Sequence, residues 1–490
     1  MNGPGDPAEA ISLTGWRTPV ADDPRAAELD ARAAAARADT AATLGRAETT
    51  DATRSPVVAD RDPALVQVIA AAGRSCQSQL MGSWVPGYLA SRSLDAALLP
   101  TSPWKIGYAP ASWTALVNHL RGQGFTDADI LTAGLVVNGR NGQLRDHFCD
   151  RLIIPLRAEN GIATGFIARR RPDAGHDHGP KYLNTPDTPI FTKGHILAGL
   201  AEGRGAFQRG AQPVLTEGPL DAIAVSIAGE GAFAGIAPCG TAFTGDQVAA
   251  LARTIPLEER GVLVGLDGDT AGRAAAVRAY WRLAPVTSRL TAITLPDSTD
   301  PAALLETGSR AALRDALTSA VRPLADLVTD SRIEDWARGR ELVFAELQIG
   351  ALRAAATAIA NMPSDHVGPQ ATRLCALFSE TYGWTPQEVT TEIINTIERQ
   401  LTSTRARSMQ GGPWHPADSP WAVVTRATAP PRQRTPADIA TTSQPPALRL
   451  LPQSAQRGTL RVHAGSARAI ALFPRGVNQV ISRVLALLLR

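Results

Sequence analysis

The segment Val262-Leu263-Val264-Gly265-Leu266-Asp267-Gly268-Asp269 decides the fold. An apolar run ends abruptly in a glycine between two aspartates, which reads as a buried strand leaving a sheet at its carboxyl end. The same pattern recurs on both sides of it. Val214-Leu215-Thr216 runs into Glu217-Gly218, with Pro219 suited to the first turn of a helix and Asp221 just beyond. Ile293-Thr294-Leu295-Pro296 runs into Asp297 and Asp300, and Pro301 opens the next helix. Strands are expected at 213–216, 232–237, 262–267 and 289–295, and helices at 219–229, 244–254, 270–283 and from 301. Alternating βα units imply a parallel sheet with helices on its faces.

Ligands of an open parallel sheet gather beyond the carboxyl ends of its strands. Glu217, Asp267, Asp269 and Asp300 are therefore expected at one edge. Alternation along an extended strand would turn Asp267 and Asp269 to the same side, with Gly268 allowing a sharp exit. Carboxylates crowded in this way repel unless a cation neutralises them, and hard oxygen donors select Mg²⁺ or Mn²⁺. Such a cation also binds nucleotide phosphates, so the implied chemistry is phosphoryl or nucleotidyl transfer, with Glu217, Asp267 and Asp269 as catalytic residues and Asp300 as a further metal ligand. A lone Asp-x-Asp is more often a solvated cap. Three acidic strand ends in succession make the metal site the stronger reading.

The rest of the chain divides by composition. Residues 1–60, rich in Ala, Asp and Arg, read as a flexible or weakly helical arm, because the helical face of Pro24–Glu48 is mostly Ala and offers little to bury. Residues 61–210 begin with helical patterns (Leu65, Val66, Ile69, Ala70; Tyr88, Leu89) and continue as strands at Leu152–Leu156 and Ala163–Ala168, joined by a turn at Asn160-Gly161. Residues 211–310 hold the parallel sheet, and 311–402 are expected to be helical, with breaks at Gly339 and Gly368-Pro369. Residues 403–490, rich in Pro, Ser, Thr and Arg, are expected to be mostly disordered, apart from a possible short helix over Val477–Leu489.

Charge is unevenly spread. The whole chain of 490 residues carries only +3, but residues 401–490 hold 12 Arg against 2 Asp, whereas residues 1–60 hold 10 acidic and 6 basic side chains. A basic tail attracts polyanions or simply keeps the chain soluble, and both readings stand. Lysine occurs only as Lys105, Lys181 and Lys193. The four cysteines, Cys76, Cys149, Cys239 and Cys375, form no C-x-x-C pair, so no zinc is expected. No secretory signal or membrane-length apolar run is visible, and the protein is expected to be cytoplasmic.

Glu217-Gly218-Pro219-Leu220-Asp221, Cys239-Gly240-Thr241, Leu266 through Arg273 and Leu295-Pro296-Asp297-Ser298-Thr299-Asp300-Pro301 together resemble the TOPRIM domain of bacterial-type (DnaG-type) primases. Upstream, Ile106-Gly107-Tyr108-Ala109-Pro110 with Trp113, Asp146-His147-Phe148 with Arg151, Gly165-Phe166 with Arg169, Pro180-Lys181-Tyr182-Leu183-Asn184-Thr185-Pro186 and Phe191-Thr192-Lys193-Gly194 are similar to the primase core. The resemblance covers about residues 85 to 310. It implies an α/β TOPRIM domain preceded by an α+β core subdomain and followed by helices.

The resemblance further implies primer synthesis on a single-stranded DNA template from nucleoside triphosphates. Lys181, Lys193 and Arg169, then Arg151, become candidates for binding nucleotide or nucleic acid, together with Asp221 and Arg273. A replicative helicase or plasmid replication proteins become candidate partners, and a plasmid or other mobile element a candidate origin. Two departures stand out: the zinc-binding module that usually precedes the core is replaced by the Ala-rich arm, and Ala302 occupies a position where the family often has a second aspartate. A TOPRIM nuclease, or an inactive nucleic-acid-binding accessory protein, are the alternatives.

Overall fold

The computed structural model describes residues 24–49, 62–139, 142–175, 179–240, 243–296 and 299–410. Asp297, and the expected helix at Val477–Leu489 with most of the basic tail, lie outside these residues. Twelve strands are present among them: β1 Gly107–Ala109, β2 Val136–Asn138, β3 Leu144–Asp146, β4 Arg151–Arg157, β5 Ala163–Arg170, β6 Tyr182–Asn184, β7 Leu197–Ala198, β8 Gln212–Leu215, β9 Phe233–Pro238, β10 Val262–Val264, β11 Leu290–Ile293 and β12 Val321–Pro323.

The first half of the chain is built on the antiparallel sheet β1-β4-β5-β6, with the hairpin β2-β3 beside it. β4 and β5 pair from Arg151↔Arg170 to Arg157↔Ala163 around the Asn160-Gly161 turn, where Gly161 has φ +86. One face of this sheet meets the helix Pro63–Ser78, and Leu65, Val68, Ile69, Phe148, Ile153 and Phe166 close that core.

The second half is a six-stranded sheet in the order β12-β11-β10-β8-β9-β7. β8, β9, β10 and β11 are parallel, with β7 and β12 antiparallel at the edges. The chain passes from β8 to β9 on one side, then returns to lay β10 on the other side of β8. Strand order therefore reverses between β8 and β10, and such a reversal opens a crevice at the carboxyl ends of the two strands. Helices Pro219–Gly229, Pro301–Gly308 and Arg310–Ser319 cover one face. Helices Gly245–Thr254, Thr270–Leu283 and Leu324–Ala337 cover the other. The first of these, Pro219–Gly229, is apolar nearly all round because it is packed between the sheet and a second layer of helix.

Three expectations change. The strand expected over 262–267 ends at Val264. Gly265 N still donates to Leu215 O at 2.8 Å, but Asp267 N turns to the Glu217 side chain, so the ladder stops and residues 265–269 form the exit. Strand alternation is thus not what orients Asp267 and Asp269. Gly368-Pro369 does not break a helix. Pro369 lies inside Ser364–Tyr382, and buried Val367, Gln370 and Leu374 on both sides of it hold the helix through the missing hydrogen bond.

The Ala-rich arm is the third. Over Pro24–Thr49 it is a single helix docked on helices Gly245–Thr254 and Thr270–Leu283, burying Ala33, Thr40 and Thr43. Small residues let helices approach closely, and polar anchors supply what the Ala face lacks. Beyond it, helices Ala345–Ile359, Ser364–Tyr382 and Pro386–Gln410 complete the helical region, the last running past the expected boundary at 402. Among the described residues no helix is long and apolar enough to cross a membrane.

Candidate active site

Three chain exits meet at the crevice. After β8, Thr216 is fully buried, and its N–H donates to Ile236 O at 2.8 Å while its hydroxyl donates to the same oxygen at 3.1 Å. This fixes the backbone one residue before Glu217. After β10, Gly268 passes so close to the end of the next exit that a Cβ there would collide with the Pro296 carbonyl oxygen, and Gly268 N donates to Thr299 O at 3.2 Å. A Cβ on Gly272 would collide with the Asp267 carbonyl. The Asp-Gly-Asp-Thr-Ala-Gly spacing is therefore steric: Gly268 is touched by the next exit, and Gly272 by the turn that precedes its own helix.

Glu217, Asp269, Asp300 and Asp221 each have a defined local anchor, and Asp267 does not. Glu217 Oε1 accepts the Asp267 N–H at 3.3 Å. Asp269 is the N-cap of Thr270–Leu283, its Oδ1 accepting Gly272 N at 2.7 Å. Asp300 caps Pro301–Gly308 in the same way, its Oδ1 accepting Ala303 N at 2.6 Å. Asp267 Oδ1 is buried and has no hydrogen-bond partner. Asp221 lies beneath the others, nearly buried, with Oδ1 accepting Ala302 N at 3.2 Å. Ala302 itself is buried at 1% exposure, within the apolar layer that includes Leu220 and Leu305.

These acids feel one another. Burial, then Glu217, Asp300 and Asp269, push the Asp267 carboxyl up to about 6, and the Lys181 ammonium opposes the rise. Burial also raises Glu217; the Asp267 N–H and Arg278 oppose it, and Asp269 and Asp300 add to it. Asp221 is pushed up to about 7, first by burial and next by Asp300. Glu217, Asp267, Asp269 and Asp300 thus share one site of accumulated negative charge.

That donor set suits a hard cation, and the orphaned Asp267 Oδ1 is the atom most in need of one. Among the described residues, no three His, Cys, Asp or Glu side chains are gathered tightly enough to hold a metal by themselves. This is compatible with Mg²⁺, which keeps its waters and binds one or two carboxylates plus substrate phosphates rather than an all-protein cage.

The antiparallel sheet supplies the cations. Lys181 precedes β6, close enough to Asp267 to lower its pKa, with Nζ 5.8 Å from the centre of the Tyr182 ring. The Arg169 guanidinium on β5 lies 5.0 Å from the Tyr88 ring centre and 5.6 Å from that of Tyr182. Arg169 is nearly buried, and its Nε has no partner. Lys193 lies beside Gly240 at the end of β9: a Cβ there would be 3.6 Å from Nζ. Arg151 is placed differently. It is buried, with Nη1 donating to Pro180 O at 3.0 Å, so it braces the segment leading to Lys181. Arg273 is exposed in the first turn of its helix, with Nη2 donating to Thr270 Oγ1 at 3.2 Å.

Comparison with known proteins bears on both halves. Residues 76–204 match the family described as DNA primase catalytic core, N-terminal domain, and residues 214–305 match the Toprim-like family. The RNA polymerase domain of Mycobacterium tuberculosis primase DnaG, solved in complex with double-stranded DNA, is 32% identical with a TM-score of 0.52 over 61% of this chain and 92% of that one. The chain belongs to the DnaG-type primase family.

A DnaG primase catalytic domain bound to ssDNA shares 25% identity and a TM-score of 0.50, covering 69% of this chain and 98% of that one. The DNA primase of Streptomyces coelicolor is 38% identical over 217 residues, which are 44% of this chain and 32% of the relative. This chain thus spans about a third of that relative's length.

Sequence reasoning gave no role to three groups at the site. Arg92 pairs with Glu306 at 2.8 Å and lies 3.9 Å from Asp300. Arg278 acts on Glu217 from the exposed side of its helix. Tyr182 and Tyr88 flank Arg169. A fourth group lies on the antiparallel-sheet half. Trp113 is 53% exposed, with the Arg145 guanidinium 4.8 Å from its ring centre. Arg92, Tyr88, Tyr182 and Trp113 all fall in the segments that carry the family resemblance, but nothing in the sequence paired them with their partners.

Proposed function

We propose that this chain is a primase-type nucleotidyltransferase that makes short primers on single-stranded DNA by joining nucleoside triphosphates. One observation carries the reading: Asp267, which feels carboxylates from the other two strand exits of the Toprim sheet, also lies within electrostatic reach of Lys181 from the primase-core sheet. An acidic site alone suits cleavage or joining. An acidic site with a cation contributed by a separate primase-core sheet suits holding a triphosphate while a 3′-hydroxyl is brought in line.

Glu217, Asp267 and Asp269, with Asp300 beside them, would hold Mg²⁺ or Mn²⁺, which would supply the positive charge that offsets the phosphates. The chain's own residues do the rest. Lys181 and Lys193 place point charges for phosphate oxygens. Arg169, desolvated between Tyr88 and Tyr182, presents a fixed guanidinium face. Asp221 ties the first turn of Pro301–Gly308 to helix Pro219–Gly229 and so fixes Asp300. Exposed Trp113 with stacked Arg145 supplies a π-surface and a cation of the kind that single-stranded bases stack on. A helicase or plasmid-replication partner rests on the family resemblance.

The test is primer synthesis on single-stranded DNA with labelled ribonucleotides and Mg²⁺ or Mn²⁺. Primer products support the reading. Degradation of the template instead would make the protein a Toprim nuclease, and binding with neither outcome would make it an accessory protein.

A further inference from the structure

Helix Pro24–Thr49 precedes both matched segments, and its main contacts are with helices Gly245–Thr254 and Thr270–Leu283. Asp30 pairs with Arg332 of helix Leu324–Ala337 at 2.5 Å. Arg37 lies 4.9 Å from the Trp281 ring centre on helix Thr270–Leu283, and its Nη2 donates to Asn361 Oδ1 at 3.2 Å, just past helix Ala345–Ile359. Asp39 pairs with Arg282. At Gly245 the absent side chain admits the Asp39 backbone, which would lie 3.2 Å from a Cβ there. One helix therefore grips the Toprim layer and the helical region at once, through side chains 30, 37 and 39.

This interface is polar for its size. Among the described side chains of the helix, Ala33, Thr40 and Thr43 are the buried ones, and small side chains contribute little apolar area. Burial raises the Asp30 carboxyl in spite of Arg332 and Arg37, so ionised Asp30 is held there against a desolvation penalty. A seat of this composition is specific but shallow. The helical region also packs on the sheet layer directly: Leu324, Ala325 and Val328 share an apolar cluster with Val262, Val264, Leu290 and Ala292, and the Tyr280 hydroxyl meets His366 Nδ1 at 2.7 Å.

We propose that helix Pro24–Thr49 is a releasable intramolecular strap that braces the C-terminal helical region against the Toprim domain. Its hold is set by charge, so that release of the strap loosens the helical region, which then keeps only its apolar seat on the sheet. The segment N-terminal to the catalytic core thereby tunes how firmly the segment C-terminal to it is held.

Hydrogen exchange on the full chain tests this. Asp30→Arg should speed exchange by about tenfold or more both in 28–45 and in 324–359, leaving the strands β8 to β11 protected. The double variant Asp30→Arg with Arg332→Asp should restore protection in both segments. If Asp30→Arg fails to fold, the wild-type chain taken from low salt to 1 M NaCl should show the same two segments loosening together. Faster exchange in 28–45 with 324–359 unchanged would reduce the helix to a passive appendage and overturn the proposal. A wild-type dimer that Asp30→Arg converts to monomer would overturn it too, since the helix would then be shared between copies.

Discussion

The Asp267 backbone N–H donates to Glu217 Oε1 at 3.3 Å, so the exits of β8 and β10 are joined by a bond from the main chain of one acidic residue to the side chain of the other. The Glu217 carboxylate is oriented by this bond, while the Asp267 carboxylate is left with an unpartnered oxygen. The pair has one atom fixed and one available, which suits a site that acquires its last partner with substrate.

Asp267→Asn should therefore lower primer synthesis by about 100-fold or more while leaving the fold intact, because it removes a ligand charge without changing shape. In metal-free buffer at neutral pH its melting temperature should equal or exceed that of the wild type, since a repelling charge is gone. Asp269→Asn should lose activity similarly but keep its helix, because Asn caps as well as Asp. Near wild-type, metal-dependent synthesis by both variants would remove these residues from the site.

The pKa shifts give a signed pH dependence. Asp267 and Asp221 are raised to about 6 and about 7, so the metal-free fold binds more protons than the unfolded chain across that window. Their contribution is present at acid pH and is lost as pH rises through 6 to 7. A cation reverses the sign by favouring the ionised form. Added Mg²⁺ should therefore raise the melting temperature at pH 8 and do little at pH 5. Equal shifts at both values, measured by calorimetry, would place the cation elsewhere.

The βα alternation and its acidic exits were legible because burial on both faces makes a parallel strand a continuous apolar run, and because a strand exit needs glycine or proline where it turns. Glu217, Asp267, Asp269 and Asp300 announced themselves in that way. Their actual orientation did not, since it depends on contacts distant in sequence: Gly268 against Pro296, Glu217 against Asp267, Asp221 against Ala302. Arg151 read as a candidate for binding nucleotide or nucleic acid, yet its neighbours bury it against Pro180 O. The Ala-rich helix misled for a related reason. Its docking rests on Arg332, Asn361, Trp281 and Arg282, all more than 200 positions away, and an amphipathic pattern cannot show polar anchors.

Lys181→Ala and Lys193→Ala should each weaken binding of single-stranded DNA or nucleotide. Each lost phosphate contact should also reduce the log–log salt slope by about 0.7 for a single strand. Lys181→Ala has a second signature: without the ammonium near it, Asp267 should titrate higher, shifting the acid limb of activity to higher pH. Unchanged slopes in both variants would leave the lysines as surface charges.

Trp113→Ala should weaken single-stranded DNA binding by about 5- to 100-fold, the range for loss of one base–aromatic stack. Trp113→Phe should retain most of the affinity. The salt slope should not move, because no charge is removed. Equal affinity of Trp113→Ala and wild type for oligonucleotides of every length would show that the exposed ring serves something other than DNA.

The last prediction concerns the basic end. Helix Pro386–Gln410 is integral to the fold: Val389, Ile393 and Ile397 are buried in the same apolar cluster as helix Ala345–Ile359. A cut at 402 would remove its final turns, so the cut belongs after Gln410. Residues 411–490 hold ten Arg against two Asp, a net of +8. They are rich in Pro, Ser and Thr and, apart from Val477–Leu489, sparse in apolar residues at helical or strand spacing, so they have little to offset the entropy of ordering. A chain ending at Gln410 should melt as the full chain does. It should bind single-stranded DNA more weakly, with the difference largest at low salt, because the lost attraction is screened and is driven by counterion release. The apolar residues of Val477–Leu489 supply the competing outcome. If that segment packs on the core, truncation will lower the melting temperature by several degrees, and the basic end will be part of the fold as well as a polyanion-binding arm.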